Sequence, residues 1–409
     1  MFADVRRVFV FGAVCAAALV GGCSRAAPAA AAPDLAKLPW DSIVRRARGT
    51  TVIWRMWRGD PSVNAFVDRW VAPRVLAEYG VTLQAVSGQG SELVDQLTVE
   101  TQSGAKVGTA SLLWINGETF GALRSRQLLA GPWSGVLPAG ALVDSASPII
   151  SRDFEQDPGG FESPYGTVQM ALIHDSARTP QPPRTVDELT HWIRTHPGRF
   201  TYDQSFTGIT FLKGVMYAQN GGVGTFAGGY DSTTYIAART RLFAWLDSLK
   251  PYLWRKGTQY PADVAAMHRL FANREIDFSL SYNQNEAVTK ALQGVLPATS
   301  RALVLRDGTL ANAHFLGIPA NAPNAAGAMI VANFLLSPAA QLEKQRPTVW
   351  ADGTVLDLAR LPAEWRERFD SIVNDPRLVS ADTLRRYARP EVSPRYHERL
   401  TDDWRRMIR

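Results

Sequence analysis

Cysteine is almost missing from this 409-residue chain. Only Cys15 and Cys23 occur, both near the start, so the body of the protein carries neither a disulfide framework nor thiol chemistry. Lysine is scarce as well, with 7 Lys against 37 Arg, and no long basic run accompanies the net charge of +6. Loss of residues 1–22 would lower that charge by one. The densest basic stretch, Arg385, Arg386, Arg389, Arg395, Arg399, Arg405, Arg406 and Arg409, is interleaved with acidic residues and reads as a solvated helical surface, not a nucleic-acid face. The six histidines, His174, His191, His196, His268, His314 and His397, form no H-E-x-x-H and no ligand spacing, so no metal and no cofactor is expected. No G-x-S-x-G elbow occurs, and no internal repeat.

The apolar run at residues 8–20, VFVFGAVCAAALV behind Arg6 and Arg7, is too short for a comfortable membrane span and has the length of a signal-peptide core. It ends in LVGGC, which resembles the bacterial lipobox. The resemblance implies removal of residues 1–22 and lipidation of Cys23; a plain secretory signal with a chance cysteine is the alternative. Ser24 is not the aspartate that marks inner-membrane retention, so either bacterial membrane is open. Residues 23–39 form an Ala/Pro tether.

Three strand-then-helix units follow. The stretch VIWRMWRGDPSVNAF hands a β-branched and aromatic run at 51–56 to a helix beginning near residue 62, with Asp60 as N-cap and Pro61 in the first turn. VTLQAV leads through the turn SGQG to a helix starting near Ser91, and SLLWI leads through NGE to a third. Alternating strands and helices predict a parallel α/β sheet whose strand-to-helix turns emerge on one edge, where open α/β sheets bind ligands. Trp57, Arg58, Asp60, Ser87, Ser91, Trp114, Asn116 and Glu118 lie on that rim. Each has a plainer reading. Trp57 can pack on the sheet edge, Arg58 can be solvated, Asp60 and Ser91 can be caps, and Glu118 can complement the helix dipole. SGQGSEL could hold an anion on free amides, but it lacks the Lys-Ser/Thr ending of a P-loop.

A second region begins near Tyr165 with further strands and helices, a helix capped at Thr185 and a glycine-rich surface loop, NGGVGTFAGGY. The segments VIWRMWRGDPSVNAFVDRW, LLWINGETF, FTGITFLK, SYNQNEA, NAAGAMIVANFLLSPAAQ and TVWADGTVLDLARLP together resemble the periplasmic solute-binding lipoproteins of bacterial ABC importers, in a subgroup without assigned solute. The similarity runs from about Trp40 to about Pro362. It implies a two-lobed type II periplasmic-binding fold with a ligand cleft between the lobes. By that analogy lobe one is 40–165 plus 312–345, and lobe two is 168–310 plus the C-terminal helices of 346–409. The crossings would fall near 165–169 and 312–317.

Lobe two then offers Tyr165, Gln169, Tyr202, Ser205, Thr207, Tyr282, Asn283, Asn285 and Glu286 at strand ends, with Trp350 as a further candidate. Amides serve hydrogen bonding and aromatic faces stack on rings or cations; Asn285 and Glu286 can equally start a helix. The expected partners are a small solute, an ABC permease with its ATPase, and a bacterial membrane through the lipid anchor, the receptor acting as a monomer in the periplasm or at the cell surface. A cationic heterocycle, a polyamine, an amino-acid-like zwitterion and a sugar all suit these side chains. A surface-anchored hydrolase and a sensory lipoprotein are the competing functions.

Overall fold

A computed structural model describes residues 35–373 and 375–407. Cys23, the signal segment and most of the tether lie outside the described residues. Helix α1 (Trp40–Ala47) precedes β1 (Thr51–Met56), α2 (Pro61–Ala65), a π-helical turn at Phe66–Val71 and α3 (Ala72–Tyr79). Next come β2 (Thr82–Ser87), α4 (Gly90–Gln102), β3 (Leu112–Ile115), α5 (Gly117–Ser125), α6 (Pro148–Ser151), β4 (Glu162–Gln169), β5 (Ala171–Asp175), α7 (Val186–Thr195) and α8 (Phe206–Ala218). The chain continues through α9 (Ser232–Leu249), α10 (Val264–Ala272), β6 (Phe278–Ser281), α11 (Glu286–Leu292), β7 (Ser300–Leu303), β8 (Thr309–Gly317), α12 (Ala325–Leu335) and α13 (Pro338–Gln345). It closes with α14 (Ala363–Val373), α15 (Ala381–Tyr387), β9 (Ala388–Pro390) and α16 (Pro394–Met407).

Two sheets organise these elements. The larger has the order β2-β1-β3-β8-β4. Its first three strands are parallel, as the strand–helix alternation predicts, whereas β8 runs antiparallel to both β3 and β4. The smaller, β6-β5-β7, is antiparallel throughout. The chain passes between the lobes at β4–β5 and at β7–β8, and again where β9, paired with β8 in the larger sheet, leads into α16. β4 and β5 follow one another directly, parted at Met170, and β4 carries an irregularity between Pro164 and Gly166, where a proline cannot donate to the ladder.

Alternation along β3 separates the larger lobe's two core layers. Leu112 joins Val52, Trp54, Phe66, Leu316 and Met329 on one face, while Leu113 and Ile115 join Leu93, Leu97, Phe120 and Phe315 on the other. The smaller lobe has its own core around Leu172, Leu212, Phe271 and Leu280. The tail divides in a way the sequence did not suggest. Trp350, Val355, Leu356, Leu361 and Phe369 pack in the larger lobe's core and not in the smaller one, whereas Val392, Tyr396, Leu400 and Trp404 pack in the smaller. The Arg-rich tail is therefore not a solvated surface throughout: α16 buries Tyr396, Leu400 and Trp404 at helical spacing, half-buries Arg399 and leaves Arg395, Arg405 and Arg406 outward.

Candidate functional site

The segment that follows β1 in the larger lobe meets the C-terminal end of α11 in the smaller, and the link between β6 and α11 meets residues 350–351. On one flank of this junction, Asp60 accepts from the backbone N–H groups of Ser62 (2.6 Å) and Val63 (3.3 Å), capping α2 as its position predicts. Its other oxygen takes the ammonium of Lys290, on α11 of the opposite lobe. Gln293 reinforces the contact by donating to Ser62 Oγ at 2.9 Å. Nearby, the side-chain amides of Asn283 and Asn285 donate to the carbonyls of Trp350 (3.3 Å) and Ala351 (3.1 Å).

Behind this contact lies an aromatic cluster. The Trp114 ring meets Tyr165 (5.3 Å), His314 (4.7 Å) and Trp350 (5.8 Å), and Trp350 stacks on His314. Asp352 sits beneath, bonded to His314 Nε2 at 3.1 Å and to Lys344 at 3.0 Å. Burial, then the nearby Asp352, raises the Tyr165 hydroxyl well above its usual range.

The other flank is charged differently. Lys213, alone on an otherwise apolar α8, is 1% exposed and pairs at 2.6 Å with Glu391, also 1% exposed. Tyr282 donates to the same carboxylate at 3.1 Å. Phe154 of the larger lobe lies over the Lys213 ammonium at 5.0 Å. Next to it, Asp153 and Glu162 are fully buried and face each other, with the Gly117 backbone N–H set against Asp153 and the Arg124 charge partly offsetting Glu162. Burial pushes both acids well above the usual carboxylate range; Glu391 adds to the effect on Asp153, and Asp153 adds to that on Glu162. Glu118, in the first turn of α5, is also raised, by burial and then by Glu398 and Asp402 of α16, against the opposing pull of Lys213 and Arg405. The buried His397 ring packs on Phe206, and burial together with Lys213 and Arg405 keeps it neutral at pH 7.

The remaining expected residues are spread more widely. Trp57 is 40% exposed on the rim, and Arg58 forms a bidentate pair with Asp68. Ser87 and Ser91 are exposed. Ser91 does not cap its helix, because the left-handed Gly90 already begins α4 and Gln89 holds the cap position. Asn116 precedes α5 without a side-chain cap bond. Gln169 takes its backbone partner from the Gln284 side chain, at the crossing between lobes. Tyr202 is buried behind the junction against Tyr260 and Trp404, and accepts from the Trp404 indole at 3.2 Å. Ser205 caps α8 and buries Thr207 in its first turn. Glu286 starts α11. Burial alone would raise its pKa, but His268, Lys290 and the Ser281 hydroxyl outweigh that and pull it down to about 2. Two surface depressions, of about 450 and 410 Å³, lie elsewhere, around Trp70 and Phe334 and around Gln204 and Tyr260. Among the described residues no cluster of three or more His, Cys, Asp or Glu could hold a metal ion.

The sequence profile of the bacterial extracellular solute-binding proteins matches residues 72–368. This chain belongs to that family. Protein YnjB of Escherichia coli K12 is 37% identical over 336 residues, which is 81% of this chain and 86% of that protein. Among solved structures, the spermidine/putrescine ABC transporter substrate-binding protein PotD of Streptococcus pneumoniae superposes with a TM-score of 0.59 at 14% identity, covering 88% of this chain and all of that one (100%). Iron-bound HitA of Pseudomonas aeruginosa gives 0.60 at 16% identity, with 87% and 98% covered. At such identities the likeness is one of fold, the two-lobed periplasmic-binding architecture. Membership makes the chain an extracellular solute-binding protein of a bacterium.

Sequence reasoning missed Ser62, Lys213, Lys290, Gln293, Asp153, Phe154, Glu162, Glu391 and His397. One signal was available for Lys213: a lone lysine in a helix apolar on every side needs a buried counter-charge. Nothing in the tail's composition marked Glu391 as that partner.

Proposed function

We propose that this receptor binds a small, positively charged solute between its lobes and hands it unchanged to the permease, acting as a monomer held to a bacterial membrane by a lipid on Cys23. The observation that carries the reading is the charge balance on the second flank: Glu118, Asp153, Glu162 and Glu391, with Glu398 and Asp402 beside Glu118, outnumber the cations set against them, Lys213, Arg124 and Arg405. In a water-poor junction, carboxylates that lack counter-charges hold protons instead of ionising. A cationic solute supplies the missing charge, and the aromatic faces of Trp114, Phe154 and Tyr282 suit the same ligand. Trp57 and Asn116, which no contact between the lobes engages among the described residues, are the rim groups that would orient it by hydrogen bonding. Domain closure then follows from contacts a bridging solute makes only when the lobes meet, and no covalent step is required.

A thermal-shift screen of cationic, zwitterionic and anionic metabolites tests this, because a ligand selective for the native state raises its melting temperature. Cations are expected to give the upshift, growing as pH rises through the raised Glu118 pKa and the carboxyl ionises. Trp114→Ala and Tyr282→Ala should reduce the upshift with folding retained. Upshifts confined to anions would overturn the charge assignment. The anchor is tested separately: Cys23→Ala should move the protein from the membrane fraction to the soluble one.

A further inference from the structure

Residues 153–156 form a tight turn closed by reciprocal backbone bonds between Asp153 and Gln156, each 3.0 Å. Both central residues lie in the left-handed region, Phe154 at φ 49° and Glu155 at φ 64°. Two-residue turns with positive φ at both positions normally take Asn-Gly or a similar pair. Phe-Glu is a poor choice, and a backbone held there by its surroundings is strained.

The surroundings that hold it belong to both lobes. In the larger lobe, Phe154 lies so close over the start of α5 that a Cβ on Gly117 would fall 2.3 Å from its ring. Gln156 also donates to the Gly117 carbonyl at 2.6 Å. In the smaller lobe, the Glu155 carboxylate accepts from the amides of Gly228 (3.0 Å) and Gly229 (3.2 Å). These glycines have φ of 86° and 106° and belong to the glycine-rich loop NGGVGTFAGGY, to which the solute site gives no role. Successive backbone N–H groups turned toward one anion make a cradle that side-chain-bearing residues rarely form. The cradle is fixed to its lobe by Tyr396 of α16, which receives the Asp231 N–H at 3.0 Å and donates to the Gly229 carbonyl at 3.4 Å.

We propose that Glu155 and the Gly228–Gly229 cradle form a clasp across the lobes, and that the strained Phe154–Glu155 turn is loaded against it, so that parting the lobes releases the turn. Charge-assisted bonds from a carboxylate to two amides are strong enough to hold such a conformation, yet they sit at an exposed edge where they can break and re-form. The clasp needs no solute, so it stands apart from the choice of ligand above.

Small-angle X-ray scattering of the purified protein tests it, with far-UV circular dichroism as the check on folding. Glu155→Ala removes the grip. Phe154→Asn with Glu155→Gly removes the grip and the strain together. Both are expected to enlarge the radius of gyration with the dichroism unchanged, in the native background or in one already lacking the opposite contact through Lys290→Met. Curves that superpose on their parents in both backgrounds would overturn the clasp. An enlarged radius for Glu155→Ala alone, with the Asn-Gly turn still compact, would also overturn it, since that variant has no carboxylate to grip with.

Discussion

The two flanks of the lobe junction are built on opposite principles. On the first, Asp60 is shared between a helix cap and Lys290, and the asparagine amides between β6 and α11 find backbone carbonyls. On the second, Lys213 and Glu391 satisfy one another, but the buried Asp153 and Glu162 face each other and Glu118 faces further acids. The first flank resembles an ordinary protein interface, in which polar groups are paired as they are buried. The second keeps a surplus of one sign, which a folded chain tolerates where a ligand or a proton can neutralise it. In the proposed reading solute recognition lies on the second flank, and substitutions there and at the Asp60–Lys290 contact should have separate effects.

The largest effect is expected from breaking the pair on the second flank. Lys213→Met leaves Glu391 buried beside Asp153 without its cation and should cost about 3–5 kcal/mol in chemical denaturation. Adding Glu391→Leu should recover most of that loss, since an apolar pair needs no counter-charge. A smaller effect is expected beside the first flank, at Glu286. Its folded pKa near 2 lies below the ordinary 4.5, so its contribution is complete above pH 4.5 and is lost as the pH falls from 4.5 toward 2. Glu286→Gln should therefore lower stability at pH 7 by about 2–3 kcal/mol and flatten the acid limb of the stability profile in that window. The smallest effect belongs to Arg58→Ala on the rim. The Arg58–Asp68 side chains are 24% and 44% exposed, and exposed pairs contribute less than about 1 kcal/mol, so its melting curve should nearly coincide with that of the parent.

These flanks were unequally legible in the sequence. Asp60, Trp114 and Asn283 stand at strand-to-helix boundaries, where composition and capping chemistry are local, and the larger lobe's parallel strands follow from the same alternation. The antiparallel run of β8 against β3 does not, because that pairing joins residues about 200 positions apart and no local pattern encodes it. Glu391 was hidden for a related reason: its tail is rich in charge, and only the packed α16 shows which charges turn inward. The alternative of Ser91 as a cap stays open in the sequence because a serine beside glycine fits either the cap or the first turn, and the left-handed Gly90 decides between them. Tyr202 illustrates the limit of reading aromatic residues at strand ends, since its ring serves the packing of α16 behind the junction.

The most direct test of the account is calorimetric titration of the purified receptor with a cation selected by thermal shift, followed by chemical recovery of that compound. One equivalent should bind reversibly and return intact, with affinity falling at least tenfold in Trp114→Ala and Tyr282→Ala. Conversion of the compound, or binding unaffected by both substitutions, would contradict a solute held between the lobes.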